Sequence, residues 1–242
     1  MPYTYFISDL HLSADRPDIT RCLLTFLQDK APQADALYVL GDLFEMWIGD
    51  DDNNAFTMEV AQGFKSLADK GVATSFIHGN RDFLIRAPFA QLAGFILLPE
   101  QYVIDLYGKP TLIMHGDELC IADLEYQQFR KKARGWWWPR LMLALPLSLR
   151  RKIAQKGRKT SQANQQKLTQ EIMDVSQSEV VKMMHEHNVT QLIHGHTHRP
   201  AIHELDIDGQ AAQRIVLGDW YDQGSILKVT ADSIELQNKA FN

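Results

Sequence analysis

Residues 3–12 read YTYFISDLHL. The first half is short, aromatic and β-branched, the pattern of a buried strand. Asp9-Leu10-His11 then sets a carboxylate and an imidazole directly behind it. The same plan recurs four times. Ala36–Leu40 ends at Gly41-Asp42, and Thr74–His78 ends at Gly79-Asn80-Arg81-Asp82. Thr111–His115 runs into His115-Gly116-Asp117, and Gln191–Ile193 into His194-Gly195-His196-Thr197-His198. Between the first strands, Pro17 to about Lys30 and Asn54–Lys70 carry helical spacing. This alternation predicts an α/β fold with parallel strands. In such sheets ligands bind outside the carboxyl ends of the strands, so the five motifs are expected to meet at one sheet edge.

After Gly94 the pattern changes. Strands are expected at Tyr102–Leu106, Thr111–His115, Gln191–Ile193, Ala201–Leu205, Arg214–Leu217, Ser225–Val229 and Ser233–Leu236, and helices alone from Asp123 to about His187. Residues 1–242 are read as a single domain interrupted by a helical insertion at about 123–168. With 45% hydrophobic and 23% charged residues the chain has the balance of a folded globular protein. Two cysteines, Cys22 and Cys120, make no disulfide framework and read as free thiols in a reducing compartment. No signal peptide is expected, and no apolar stretch reaches the roughly 18 residues of a membrane span.

The net charge of −5 hides an asymmetry. Residues 126–170 hold no Asp or Glu and twelve Lys and Arg, against a net acidic remainder. Trp136, Trp137 and Trp138 lie in the same block, just before the apolar run Leu141–Leu149. Basic residues and tryptophan around a short apolar helix are the composition of a segment that lies on a membrane or holds an acyl chain. A buried helix–helix contact and a solvated basic face are the plainer readings.

Each motif alone is weak, since Asp-x-His and Gly-Asp are common in turns. All five in register with strand ends point to a site. Imidazoles at positions i and i+2, as in His196 and His198, project to the same side of an extended segment. Asp9, His11, Asp42, Asn80, His115, His196 and His198 form a mixed nitrogen and oxygen donor set without thiolate. That set favours Mn²⁺, Fe²⁺ or catalytic Zn²⁺, and it is too large for one tetrahedral ion. Two ions about 3.5–4 Å apart form a phosphoester-cleaving centre.

DLH, GD, GNRD, HGD and GHTH, in this order, resemble the calcineurin-like metallophosphoesterase superfamily. The resemblance implies an α/β fold: a β-sandwich flanked by helices (αββα), here with a helical insertion cap. ISDLHLS, LGDLFEMWIGDD, IHGNRDFL, HGDELC, YQQFR, ALPL, IMDV, LIHGHTHRPAIHEL and VLGDW further resemble the UDP-2,3-diacylglucosamine pyrophosphatases of bacterial lipid A synthesis. That family implies hydrolysis of a UDP-linked diacyl sugar lipid to UMP and 2,3-diacylglucosamine 1-phosphate (lipid X), by water attack on the α-phosphorus. It implies two Mn²⁺ per subunit. Asp9, His11 and His198 match the ligands of one ion, Asp42 the bridging carboxylate, and Asn80, His115 and His196 the ligands of the other. Arg81 matches the residue set against the substrate phosphate, so Asp42, Asn80, Arg81, His115 and His196 are the candidate catalytic residues. Asn80, Arg81, Asp123, Ser161, Asn164, Lys167 and His196 match the substrate-binding positions. The implied location is peripheral, on the cytoplasmic side of the inner membrane, against its anionic surface. No nucleic acid and no obligate protein partner is expected.

The alternatives keep the fold. One is a metallophosphoesterase acting on a soluble nucleotide pyrophosphate or phosphodiester; a nuclease would want a basic phosphate track, where this insertion offers apolar surface. A metal-free scaffold would lack ligands that are present here. Among the other residues, His185 and His187 read as solvent or cap residues and His203 as structural. His78 and His194 are expected behind the ligands, and Asp82 and Asp117 as loop-orienting groups. Asp50, Asp51 and Asp52 read as a solvated acidic turn. Glu45 and Glu118 have no assigned role.

Overall fold

The structure, a computed structural model, describes residues 1–165, 174–221 and 223–240. Two sheets face each other. The first has six strands in the order β11 (Ile234–Ala240), β10 (Gln223–Val229), β1 (Thr4–Ile7), β2 (Ala36–Leu40), β3 (Ala73–Ile77) and β4 (Phe95–Leu97). The second has five, in the order β5 (Gln101–Leu106), β6 (Lys109–Met114), β7 (Gln191–His194), β9 (Gln210–Val216) and β8 (Ala201–Ile207). Both are mixed: β1–β4 and the β6–β7–β9 run are parallel, and the hairpins β5–β6, β8–β9 and β10–β11 are antiparallel.

The two-residue side-chain period of a strand sorts each sheet into two faces. Phe6, Leu40 and Ile77 meet Ile113, Ile193 and Ile215 between the sheets. Tyr5, Ile7, Val39 and Phe76 face the other way, with residues of α1 (Pro17–Asp29), α2 (Ala55–Asp69) and α3 (Ala87–Ala93). On the far side Leu112, Met114 and Leu192 lie with Val180, Met183 and Met184 of α7 (Gln177–Glu186). The layers therefore run helix, sheet, sheet, helix. Helix starts follow local chemistry: Pro17 opens α1, and Asn54 caps α2 in a reciprocal capping box with Thr57. The sequence reading missed α3 and β4, which are short and lie where the 3.6 and 2.0 periods cannot be told apart.

Between β6 and β7 come α4 (Leu124–Ala133), α5 (Trp138–Ala144) and α6 (Leu147–Gln165). Leu141–Leu149 is not one helix. Pro146 separates α5 from α6, because proline cannot continue the hydrogen-bond ladder. Met142 is buried and Leu143 and Leu145 pack against the core, whereas Leu141 and Leu149 stay exposed.

Candidate metal centre

The five motifs do not share one sheet edge. Those after β1, β2 and β3 leave the first sheet, and those after β6 and β7 leave the second. They meet because both sheets present these strand ends at the same end of the sandwich.

The local backbone is unusual. Asp9, His11, Asp42, His196 and His198 all have positive φ, between 49° and 71°. Non-glycine residues in that region carry strain, and such residues cluster at functional sites. His196 and His198 thus converge through a turn, not through an extended segment as their spacing suggested. Close approach is also needed. A Cβ on Gly79 would lie 2.1 Å from Asp42 Oδ1, and one on Gly195 would lie 2.2 Å from Asp9 Oδ2.

Asp9, His11 and His198 form one group able to hold a cation, and Asp9, Asp42 and His115 another. Asp9 is fully buried. Its Oδ2 accepts from Ser8 Oγ at 2.6 Å and from the His196 amide at 2.8 Å. Its Oδ1 has no hydrogen-bond partner and lies 3.4 Å from His198 Nε2. Burial alone would raise the Asp9 carboxyl; His198, His115 and His11 outweigh it and hold the group well below the usual carboxylate range. The two oxygens of Asp42 face different imidazoles, His11 at 3.9 Å and His115 at 3.8 Å. Asn80 Oδ1 is 3.0 Å from both His115 Nε2 and His196 Nδ1. Burial, then the neighbouring His115, pushes His196 down to about 4, so it is neutral and can donate a lone pair at neutral pH.

Three imidazoles share a plan that single motifs did not reveal. Each has an oxygen at Nδ1, leaving Nε2 for the shared space: Leu40 O at 2.8 Å for His115, Glu45 at 3.3 Å for His11 and Asp219 at 3.3 Å for His198. Oxygen partners on the far nitrogen are how proteins orient metal-binding histidines. Glu45 and Asp219 are residues the sequence reading missed. Tyr221 was also missed; its ring stacks on His11 with an interplanar angle of 2°.

The other assigned residues fall as follows. Arg81 donates its amide to Asp42 Oδ1 at 2.8 Å, and its Nε is buried without a partner. Asp123 caps α4 by accepting from the Tyr126 amide at 3.0 Å. Ser161 and Asn164 belong to the last turns of α6, where only the backbone is described, and Lys167 lies outside the described residues. Asp82 accepts the Gly79 and Leu43 amides at 2.8 and 2.7 Å, so it ties two motif loops together. His78 and His194 are held by carbonyls, Ile85 O and Gly195 O, each at 2.8 Å. His187 caps α7 and reaches Gln101 at 2.9 Å, and His185 is exposed.

The acidic turn is solvated only in part: Asp51 stays exposed, but all three carboxylates have partners. Asp50 accepts the amides of Arg86 and Phe89 at 3.1 and 3.0 Å, at the start of α3. Asp51 pairs with Arg150 and Asp52 with Arg151, both from α6. Arg150 is 2% exposed and also donates to Ile48 O and Leu145 O. Arg130 and Arg134 bind Glu100, Arg130 also binds Asp117 at 2.8 Å, and Arg134 reaches Gly79 O at 3.0 Å. Arg158 pairs with Glu45 at 2.9 Å. Much of the basic block is therefore spent on docking the helices, and these pairs reach the loops that carry the donors.

Residues 3–200 match the family of calcineurin-like phosphoesterases. A UDP-2,3-diacylglucosamine hydrolase of Photobacterium profundum is 53% identical over 239 residues, covering 99% of this chain and 98% of that protein. Proteins of the same name from Salmonella paratyphi C and Klebsiella pneumoniae subsp. pneumoniae are each 54% identical over 233 residues, covering 96% of this chain and 97% of theirs. The solved structure of a novel archaeal phosphodiesterase superposes with a TM-score of 0.50 at 11% identity, covering 98% of this chain and 99% of that one, a likeness of fold. The family implies a divalent metal. An orphaned buried carboxylate oxygen, three imidazoles aimed inward and the absence of thiolate fit such an ion. The chain belongs to the calcineurin-like phosphoesterase family.

Proposed function

We propose that this protein hydrolyses the pyrophosphate bond of UDP-2,3-diacylglucosamine, releasing UMP and 2,3-diacylglucosamine 1-phosphate. The observation that carries this reading is the 53% identity over 99% of the chain, which takes in the α4–α6 segment as well as the motif loops. On this reading residues 1–242 are one catalytic domain with a helical insertion at about 123–168, and Mn²⁺ is the metal, two ions per chain. Asp9, His11 and His198 would hold one ion and Asn80, His115 and His196 the other, with Asp42 supplying a carboxylate to the pair.

Bound divalent ions lower the pKa of a nucleophilic water and neutralise phosphoryl charge. The chain's own groups do the rest. Leu40 O holds His115 by its Nδ1, and Glu45 and Asp219 lie 3.3 Å from Nδ1 of His11 and His198, on the side away from the shared space. Arg81, whose amide is anchored on Asp42, turns its guanidinium to the substrate phosphate and fixes it by charge-assisted hydrogen bonds. Asp123, Ser161, Asn164 and Lys167 are proposed to hold the UDP-glucosamine portion.

The acyl chains and the membrane fall to the insertion. Trp136 is 78% exposed, and Trp137, Leu141, Leu149 and Ile153 are exposed too, beside Arg140, whose guanidinium lies over the Trp136 ring. Apolar side chains among cations suit a lipid with an anionic head and the anionic cytoplasmic face of the inner membrane. Among the described residues no helix is long and apolar enough to cross a membrane.

The test is hydrolysis of UDP-diacylglucosamine beside UDP-glucosamine and a dinucleotide polyphosphate, with Mn²⁺ added, in ¹⁸O water. Preference for the acylated substrate with label in UMP is expected. Label in the sugar phosphate would reverse the substrate orientation, and equal rates on all three would favour a soluble substrate.

A further inference from the structure

The outer face of the second sheet carries a guanidinium that, among the described residues, makes no direct ion pair. Ala212, Arg214 and Val216 alternate with inward residues along β9, so they share the outer face with Leu112, Met114 and Leu192. Apart from His194 and His203 that face is largely apolar, and α7 covers its Leu112, Met114 and Leu192. Arg214 is 8% exposed, and among the described residues its side chain makes no hydrogen bond or ion pair. Its Nε is buried without a partner. The carboxylate that shares its cavity, Asp174, is bound to Arg199 at 2.6 Å. A buried guanidinium without an anion is expensive, and its planar fork matches a phosphate in two parallel hydrogen bonds.

The cavity itself measures about 210 Å³ and is lined by Arg214, Arg199, His203, Thr197 and Asp174. Among the described residues its lining carries Arg214 and the Arg199–Asp174 pair. His203 stands opposite Arg214 across the β8–β9 ladder, on the same outer face. Thr197 lies between His196 and His198, so one wall of the cavity is the back of a loop that reaches the candidate metal centre. A phosphoester hydrolase releases a phosphate monoester in that neighbourhood.

We propose that this cavity is a second anion site, separate from the metal centre, which binds the phosphate group of a phosphate monoester or inorganic phosphate through the Arg214 fork. Two sources share that chemistry. One is the nucleotide released in the reaction proposed above, an assignment that rests on that reading. The other is free phosphate, which does not.

The experiment uses the full chain loaded with Mn²⁺, titrated calorimetrically with inorganic phosphate, UMP and uridine. The wild type is expected to bind two phosphates per chain, one at the metals and one at Arg214, and to ignore uridine. Arg214→Gln is expected to bind one, with its Mn²⁺ content and circular dichroism unchanged, and Arg214→Lys to keep the second site at about tenfold lower affinity. UMP binding at least tenfold tighter than phosphate at the Arg214-dependent site identifies the nucleotide as its ligand; equal affinities identify free phosphate. A single phosphate per wild-type chain overturns the proposal, as does a second site that survives in Arg214→Gln. Should Arg214→Gln fail to fold, His203→Gln replaces it, with a weakening of several-fold expected at the second site; an unchanged affinity there overturns the proposal. Hydrolysis of the acylated UDP-sugar is scored separately. Its absence beside intact Arg214-dependent binding would refute the proposed function and leave the anion site standing.

Discussion

Replacing Gly79 by alanine tests the metal centre with one methyl group. Gly79 does not have positive φ, so its backbone suits any residue, and the cost is purely steric. The new Cβ would stand 2.1 Å from Asp42 Oδ1 and 2.3 Å from the Asp42 amide nitrogen. Real Cβ contacts essentially never fall below 3.0 Å, so Asp42 and the Gly79 loop must part by about 1 Å. Asp42 cannot simply rotate away. Its Oδ1 is held by the Arg81 amide at 2.8 Å, and its two oxygens face His115 and His11. A misplacement of about 1 Å at reacting groups costs on the order of 10²-fold in rate, about 2.7 kcal/mol of barrier. Gly79→Ala is therefore expected to lose at least about 10²-fold in turnover and to bind Mn²⁺ more weakly by electron paramagnetic resonance. Gly71→Ala is the control. Nothing lies within 4 Å of a Cβ there, but its φ is +89°, so it is expected to lose about 1 kcal/mol of stability and no activity. Gly79→Ala turnover within threefold of wild type, with Mn²⁺ bound normally, would refute the role given to Asp42.

Asp42→Ala removes the carboxylate whose two oxygens face His11 and His115 and is expected to lower turnover by at least about 10³-fold, with the circular dichroism spectrum retained. Arg150→Met leaves Asp51 and two carbonyls without their donor; a urea melt is expected to show a loss of about 1–3 kcal/mol, and hydrogen exchange to quicken first in α5 and α6. Gly157 lies in α6 with nothing within 4 Å of a Cβ, so Gly157→Ala is expected to raise stability by about 0.5–1 kcal/mol in the same melt. Burial, then Asp117, pushes the Cys120 thiol up to about 12. Peptide mass spectrometry after treatment with a thiol reagent at pH 8 is therefore expected to find Cys120 unlabelled in the native protein and labelled after unfolding.

Strand-end motifs were legible because they are local: an apolar run followed by Asp, Asn or His needs only neighbours in sequence to be recognised. The α/β class, the α1 and α2 spans and most strands follow from the same short-range periods. That the motifs meet was legible too, but not which strands pair or which side chains touch across the fold. Sequence reading placed the motifs on one sheet edge, whereas β1–β3 and β6–β7 belong to different sheets, because pairing partners are chosen by packing across the whole chain. It left Glu45 without a role, since only the fold brings it to His11 and Arg158. Asp50–Asp52 read as a solvated turn, and the basic block as a membrane- or acyl-binding segment or a solvated face. Each is the other's counter-charge in part, across about 100 residues of chain. Positive φ at Asp9, His11, Asp42, His196 and His198 was equally invisible: Asp and His enter that region more often than most residue types, but still only rarely. Only a surrounding structure that fixes both ends of each loop can hold them there.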